Sequence, residues 1–204
     1  MRNILFAFLS VITLHLSHAS AQQDNWKLEL NKNDVKIWTR KLENSNLKEC
    51  KMLATMNTSV DKLLGIFTNH KLYEKFMYKT KPGSVKLVKK VSDDDFYVYM
   101  VATAPLVKDR DIVIHFTIDR NQPNGSIVMN MDANSWNLVE KQESCVRITK
   151  MKGMYKFTPT KDGKVEIFHQ SYSYPGGGIP ESLANFVVTD APYSLVQKIR
   201  DLLN

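Results

Sequence analysis

The side chains able to do acid–base, nucleophilic or metal chemistry are few and scattered. Beyond the N-terminal stretch the histidines are His70, His115 and His169, and the cysteines are Cys50 and Cys145. No Cys-x-x-Cys, His-Glu-x-x-His or compact His/Cys cluster occurs. No metal site is therefore expected, and nothing calls for a cofactor. No Ser, His and Asp in a hydrolase order, no nucleophile elbow and no paired carboxylates stand out. What remains is His169, Arg147 and Tyr155, each on the candidate inward parity of a strand-like run. His169 shares its parity with Val165, Ile167 and Ser171. It reads either as a hydrogen-bond anchor for a ligand hydroxyl or carboxylate, or as a satisfied core histidine. Arg147, if buried, needs a carboxylate partner.

The elements that must hold these groups centre on residues 96–116, FYVYMVATAPLVKDRDIVIHF. Period-2 alternation puts Phe96, Val98, Met100, Ala102 and Ala104 on one face of a first strand. It puts Ile112, Ile114, Phe116 and Ile118 on one face of a second, with Asp111, His115 and Thr117 opposite. One wall is apolar, the other wet or covered. The charged connection between them, residues 104–110, reads as a plain hairpin loop or as a lid.

Before this stretch, residues 26–33 read as a short amphipathic helix and residues 47–56 as a strand. Thr58 or Ser59 caps a helix that runs to about Asn69, and a second short helix covers residues 71–77. After it, strands are expected at 84–91, 94–104, 110–119, 125–132, 145–158 and 164–174. Asn124-Gly125 and Asp162-Gly163 are hairpin signals. The breaker Pro175-Gly-Gly-Gly-Ile-Pro180 ends the strands. Residues 181–203 then form a long helix with an apolar stripe at Leu183, Phe186, Val187, Leu195, Ile199 and Leu202, in which Pro192 should make a kink. A curved antiparallel sheet plus one long helix is an α+β arrangement that can leave a cavity between the two.

Length and composition fit one domain of residues 24–204, with an ordinary apolar content that does not suggest disorder. Residues 1–21 read as a secretory signal peptide: Arg2, an apolar run from Ile4 to Leu16, then Ala19-Ser20-Ala21 before polar residues. The expected location is outside the cytoplasm, periplasmic or extracellular. Cleavage removes one Arg and no acid, taking the formal charge from +7 to +6. Cys50 and Cys145, an even count in an exported protein, permit one disulfide, and the favoured reading is two buried free thiols. Residues 71–81 interleave lysines with aromatics. That pattern suits an anionic membrane surface, single-stranded nucleic acid, or a solvated helix face whose Lys stems cover apolar surface; export argues against nucleic acid.

PLVKDRDIVIHF, Cys145-Val-Arg147, the strand end Phe157-Thr-Pro159 and Tyr174-Pro-Gly-Gly-Gly-Ile-Pro180 occur in one order. In that order they resemble the motifs of START lipid-transfer domains, and Asn185 falls where that family often has Asn in its last helix. The resemblance implies a helix-grip fold, an internal hydrophobic cavity, and binding, with transfer, of a single lipid or other hydrophobic molecule without catalysis. It further implies that Met100, Ala102, Ile112, Ile114, Phe116, Ile127, Met129 and Met131 line the cavity. Tyr155 and His169 would join them, under a roof of Leu183, Phe186 and Val187. Arg110 and Asp111 would brace the loop. Sterol-binding members carry a buried acid–Arg pair in the strands flanking this loop; here Met100 and Phe116 take those positions, so the resemblance implies a greasy ligand without naming a sterol. The competing reading is a helix-grip enzyme of the aromatic polyketide cyclase/dehydratase type. The expected partners are a hydrophobic small molecule and, transiently, an anionic membrane, with the protein a monomer.

Overall fold

The computed structural model describes residues 25–104, 106–179 and 181–204, with only the backbone of 181–183. The candidate signal peptide and the side chain of Leu183 lie outside the described residues.

Among the described residues ten strands form one sheet. They are β1 (Lys27–Lys32), β2 (Val35–Lys41), β3 (Lys48–Met56), β4 (Lys86–Ser92), β5 (Asp95–Ala102), β6 (Asp109–Asp119), β7 (Ile127–Asp132), β8 (Cys145–Ile148), β9 (Lys150–Pro159) and β10 (Val165–Tyr174). The order is β1-β2-β3-β10-β9-β7-β6-β5-β4. Helices α1 (Val60–Thr68) and α2 (Tyr73–Phe76) connect β3 to β4, and α3 (Glu181–Leu203) closes the chain. This is the expected α+β arrangement of an antiparallel sheet against a long C-terminal helix. Both hairpin signals mark real turns, with Asn124 at φ 60 and Gly163 at φ 77. Ser59 caps α1 by accepting from the Lys62 amide at 3.2 Å.

Three local expectations change. The stretch expected as a helix at 26–33 instead holds the strand β1, Lys27–Lys32, whose pairing with β2 shifts register between Leu28 and Leu30. The expected single strand 145–158 breaks at Thr149 into β8 and β9. β8 runs parallel to the first half of β6, pairing Asp109 with Cys145 and Ile112 with Ile148. β7 takes the second half of the same edge, from His115 to Asp119. The break also shifts side-chain parity. In β9, Met151, Tyr155 and Phe157 face the core, while in β8 Ile148 faces inward and Arg147 outward.

Arg147 therefore meets Asp111 on the outer face, with 2.7 Å between Nη2 and Oδ2 and both side chains buried. The same guanidinium donates to the carbonyls of Trp136, Val139 and Glu140, pinning the 133–144 crossing over β5 and β6. Beneath it lies a small second core of Tyr99, Val101, Val113 and Cys145. The wall opposite the apolar one is thus covered, not wet. Cys50 and Cys145 are free thiols on opposite faces of the sheet.

The main core fills the concave face. From α1 and α2, Phe67 and Tyr73 press onto Phe116, Tyr155 and Phe157, with ring centroids 4.7–5.9 Å apart, and Phe76 packs against Phe67 and Tyr73 at 5.6 and 5.4 Å. Phe96 stacks on Phe116 at 5.3 Å. This aromatic block closes one end of the concave trough. It also accounts for the Lys- and aromatic-rich stretch at 71–81: Tyr73 and Phe76 are fully buried and present no surface for stacking.

The C-terminal half of α3 is fixed firmly. Leu195, Val196 and Ile199 are buried, and Arg200 donates to the carbonyls of Asn33 and Thr55 at 2.8 and 3.1 Å. In the first half, none of residues 184–191 is buried. Asn185 accepts from the Lys48 amide at 3.0 Å and donates to the Asn46 carbonyl at 3.1 Å, and Asp190 accepts from the Tyr78 hydroxyl. Pro192 lies inside α3, so one backbone donor is missing at mid-helix.

Candidate ligand cavity

Between the aromatic block, the concave sheet and the first half of α3 lies a cavity of about 480 Å³. Its walls are mostly apolar. Met100, Ala102, Ile112, Ile114 and Met131 come from β5 to β7, Ile148 and Met151 from β8 and β9, and Val187, Val188 and Leu195 from α3. Segments 77–79, 102–104 and 175–179 form its rim. Pockets of this size and polarity are typical of small-molecule sites.

Of the residues expected at the site, Met100, Ala102, Ile112, Ile114, Met131, Tyr155, His169, Phe186 and Val187 border the cavity. Phe116, Met129 and Ile127 do not. They have the right parity, but they sit further along their strands, where α1 and α2 have already filled the trough. Phe116 and Met129 are fully buried in solid core. Phe116 and Met100 are also well apart in the ladder: Phe116 pairs with Phe96, and Met100 with Ile112.

Arg110 and Asp111 part company, as neighbours on a strand must. Arg110 braces the rim: Nε and Nη2 donate to the carbonyls of Pro175 and Gly176 at 3.4 and 3.2 Å, and Nη1 to that of Lys108. Gly177 makes this close approach feasible. Its φ is +63, and a Cβ there would meet a Val146 methyl at 2.8 Å and Arg110 Nη2 at 3.3 Å. Asp111 does not brace the loop; it is the Arg147 partner on the outer face. The 104–110 connection is tied by Lys81 to Asp109 at 3.2 Å and by Asp109 to the Ala104 amide at 3.3 Å.

Sequence reasoning missed a row of polar groups on the cavity wall. Ser171 pairs with Cys50 across β10 and β3 and with Gly153 across β10 and β9. His169, one pair further on, faces Tyr155, and the two rings stack at 4.2 Å. His169 Nδ1 lies 3.0 Å from the Met154 carbonyl, and Nε2 lies 3.0 Å from Ser171 Oγ. Cys50 Sγ is 3.6 Å from the same hydroxyl. Burial lowers the His169 pKa to about 4, against a smaller upward pull from the Met154 carbonyl, so the ring is neutral near pH 7. Burial likewise raises the Cys50 thiol and the Tyr155 phenol, leaving both protonated. The signal in the sequence was the shared parity of His169 and Ser171; the contribution of Cys50 needed the β3–β10 register.

Among the described residues there is no His/Cys/Asp/Glu group arranged to hold a metal, and no helix is long and apolar enough to cross a membrane.

A sheet folded around a C-terminal helix, with an apolar cavity between them, is the architecture of a hydrophobic-ligand module. The family model described as START domain matches residues 8–200, and the chain belongs to that family. A crystal structure of a STAR-related lipid transfer protein from Xanthomonas axonopodis is 26% identical, with a TM-score of 0.80 over 88% of this chain and 99% of that one. Human StAR-related lipid transfer protein 5 shares the fold at 13% identity, with a TM-score of 0.73 and 90% of each chain covered. An uncharacterized protein of Pseudomonas aeruginosa is 24% identical over 200 residues, 98% of this chain and 97% of its own length.

Proposed function

We propose that the protein binds one hydrophobic molecule in the cavity between the sheet and α3, and carries it without chemical change. The observation that carries this reading is the apolar cavity of about 480 Å³ between the sheet and α3. Catalysis would need a mobile acid–base pair facing the ligand. His169 is instead held neutral with both ring nitrogens engaged, which favours the carrier over the enzyme reading.

Passage of the ligand requires the first half of α3 or the 104–110 loop to move. Phe186, on the cavity rim, is 61% exposed and Leu106 is wholly exposed, with Lys79, Lys81 and Lys108 in the adjoining rim segments. Such a rim suits brief contact with an anionic membrane, at about 1 kcal/mol per basic side chain near the headgroups. The proposal includes export, with residues 1–21 removed; N-terminal sequencing of protein recovered from its own cells should begin at Gln22, and an intact Met1 would refute it.

The test of binding is mass spectrometry of organic extracts from the purified protein. One apolar molecule per chain is the expected result. An empty protein whose melting temperature no member of an apolar ligand panel raises would refute the reading, since ligand at a hundred times its Kd should add about 2.7 kcal/mol.

A further inference from the structure

The hydrogen positions on the polar row follow from one fixed acceptor. The Met154 carbonyl can only accept, so His169 Nδ1, 3.0 Å away, carries a hydrogen. The ring is neutral, so Nε2 is bare and must accept. The group facing it at 3.0 Å is the Ser171 hydroxyl, which therefore donates its single hydrogen to His169. Donation to Cys50 Sγ instead, at 3.6 Å, would set the Ser171 and His169 lone pairs against each other. With its hydrogen committed, Ser171 Oγ presents only lone pairs, one of them within weak reach of the Cys50 thiol. Tyr155 borders the same space, and its hydroxyl has no partner among the described residues.

Charge gives a second constraint. Two of the three basic residues that border the cavity are engaged elsewhere: Lys48 Nζ lies 3.2 Å from Glu29, and Arg110 is taken up by backbone carbonyls. The third, Lys79, is exposed at the rim, with Nζ over the Tyr78 ring at 5.3 Å. A carboxylate at the polar row would meet a hydrogen-bond acceptor after losing its water. A cationic amine would be desolvated without a counter-ion.

Resting on the carrier reading above, we propose that the polar row selects an uncharged amphiphile whose head is an alcohol. The ligand hydroxyl donates to Ser171 Oγ, and its own lone pairs accept from Tyr155. Ser171 is the group that reads the ligand. His169 is a positioning residue that acts by holding the Ser171 hydrogen away from the cavity. The chain from the Met154 carbonyl through His169 to Ser171 thus converts a backbone acceptor on the strand into an acceptor on the cavity wall. Gly153, opposite Ser171, lets β9, β10 and the Met131 methyl pack closely beside that residue, since a Cβ there would lie 2.6 Å from Ser171 Cβ and 2.7 Å from Met131 Cε.

The test is competition binding, with the intact protein, of dodecanol, its methyl ether and dodecanoate at pH 8. The alcohol should bind about tenfold more tightly than the ether, which keeps the oxygen and loses the donor, and more tightly still than the carboxylate. In Ser171→Ala the alcohol-to-ether ratio should fall to about one. In His169→Phe the freed Ser171 hydrogen should bring the ether and the alcohol closer together. Equal binding of alcohol and ether by the wild-type protein, or preference for the carboxylate, overturns the proposal while leaving the carrier reading intact. Binding of none of the three overturns both. The wild-type comparison needs no variant, so a poorly folding mutant cannot obscure the answer.

Discussion

Gly153→Ala should destabilise the protein, although alanine is the better strand former of the two. A Cβ on residue 153 would lie 2.6 Å from Ser171 Cβ, 2.7 Å from Met131 Cε and 2.9 Å from the Gln170 carbonyl oxygen. Met131 can swing its terminal methyl aside. The Gln170 carbonyl belongs to the β10 backbone and Ser171 Cβ is fixed directly to it, and that strand is laddered to β3 on its other side and cannot yield alone. Overpacking of this kind costs about 1–3 kcal/mol. Gly65 in α1 is the internal control: nothing lies within 4 Å of its Cβ direction, and Gly65→Ala should stabilise by about 0.4–1 kcal/mol. Urea unfolding should separate the two variants by about 1.5–4 kcal/mol, and thermal melting should place them on opposite sides of the wild type. A Gly153→Ala protein as stable as the wild type would refute the close approach of β9 and β10 on which the polar row depends.

Three further perturbations test other parts of the structure. Arg147→Ala leaves Asp111 buried without its cation and should cost about 3–5 kcal/mol, whereas the paired replacement Asp111→Leu with Arg147→Met should recover much of that loss; equal damage in both proteins would show that the ion pair is not the issue. His169 has a folded pKa lowered from 6.5 to about 4, so between those values the unfolded chain binds more protons, and stability should fall by up to about 3 kcal/mol as pH drops from 7 to 4. That slope should shrink in His169→Phe, and an imidazole titrating near 6.5 in the folded protein would contradict it. Ala102→Trp places an indole in the cavity and should sharply reduce the apolar ligand recovered per chain, without touching the aromatic block; undiminished recovery would move the ligand elsewhere.

Strand parity and turn chemistry made most of the sheet legible in advance. Alternation in β5, β6 and β10 assigned inward residues correctly, because one face of each strand is buried against the core. It could not say where along a strand the inward side chains stop lining a space and start filling a solid. Ile114 and Phe116 are two residues apart on the same face, yet one borders the cavity and the other sits in the aromatic block. That boundary is set by α1 and α2, whose docking has no local signal in β6. The outward turn of Arg147 was hidden for a related reason. One residue outside the ladder, Thr149, reverses parity, and nothing in the sequence distinguishes it from a strand residue. The Ser171–His169 contact is local, at i and i+2, whereas Cys50 joins it from 121 residues away.

The unequal anchoring of α3 divides one helix into two thermodynamic bodies. Past Pro192 its amides lie over buried Leu195, Val196 and Ile199 and should exchange with solvent only when the whole domain unfolds. Before it, Phe186 and Val187 border the cavity yet stay 61% and 37% exposed, and few hydrogen bonds tie the turn to β3 and the 77–79 segment. Those amides should exchange through a shallow, local opening, and that opening uncovers the cavity. The free energy read from hydrogen exchange in residues 184–191 is then the cost of admitting a ligand, and ligand should raise it there without slowing the second half to the same degree.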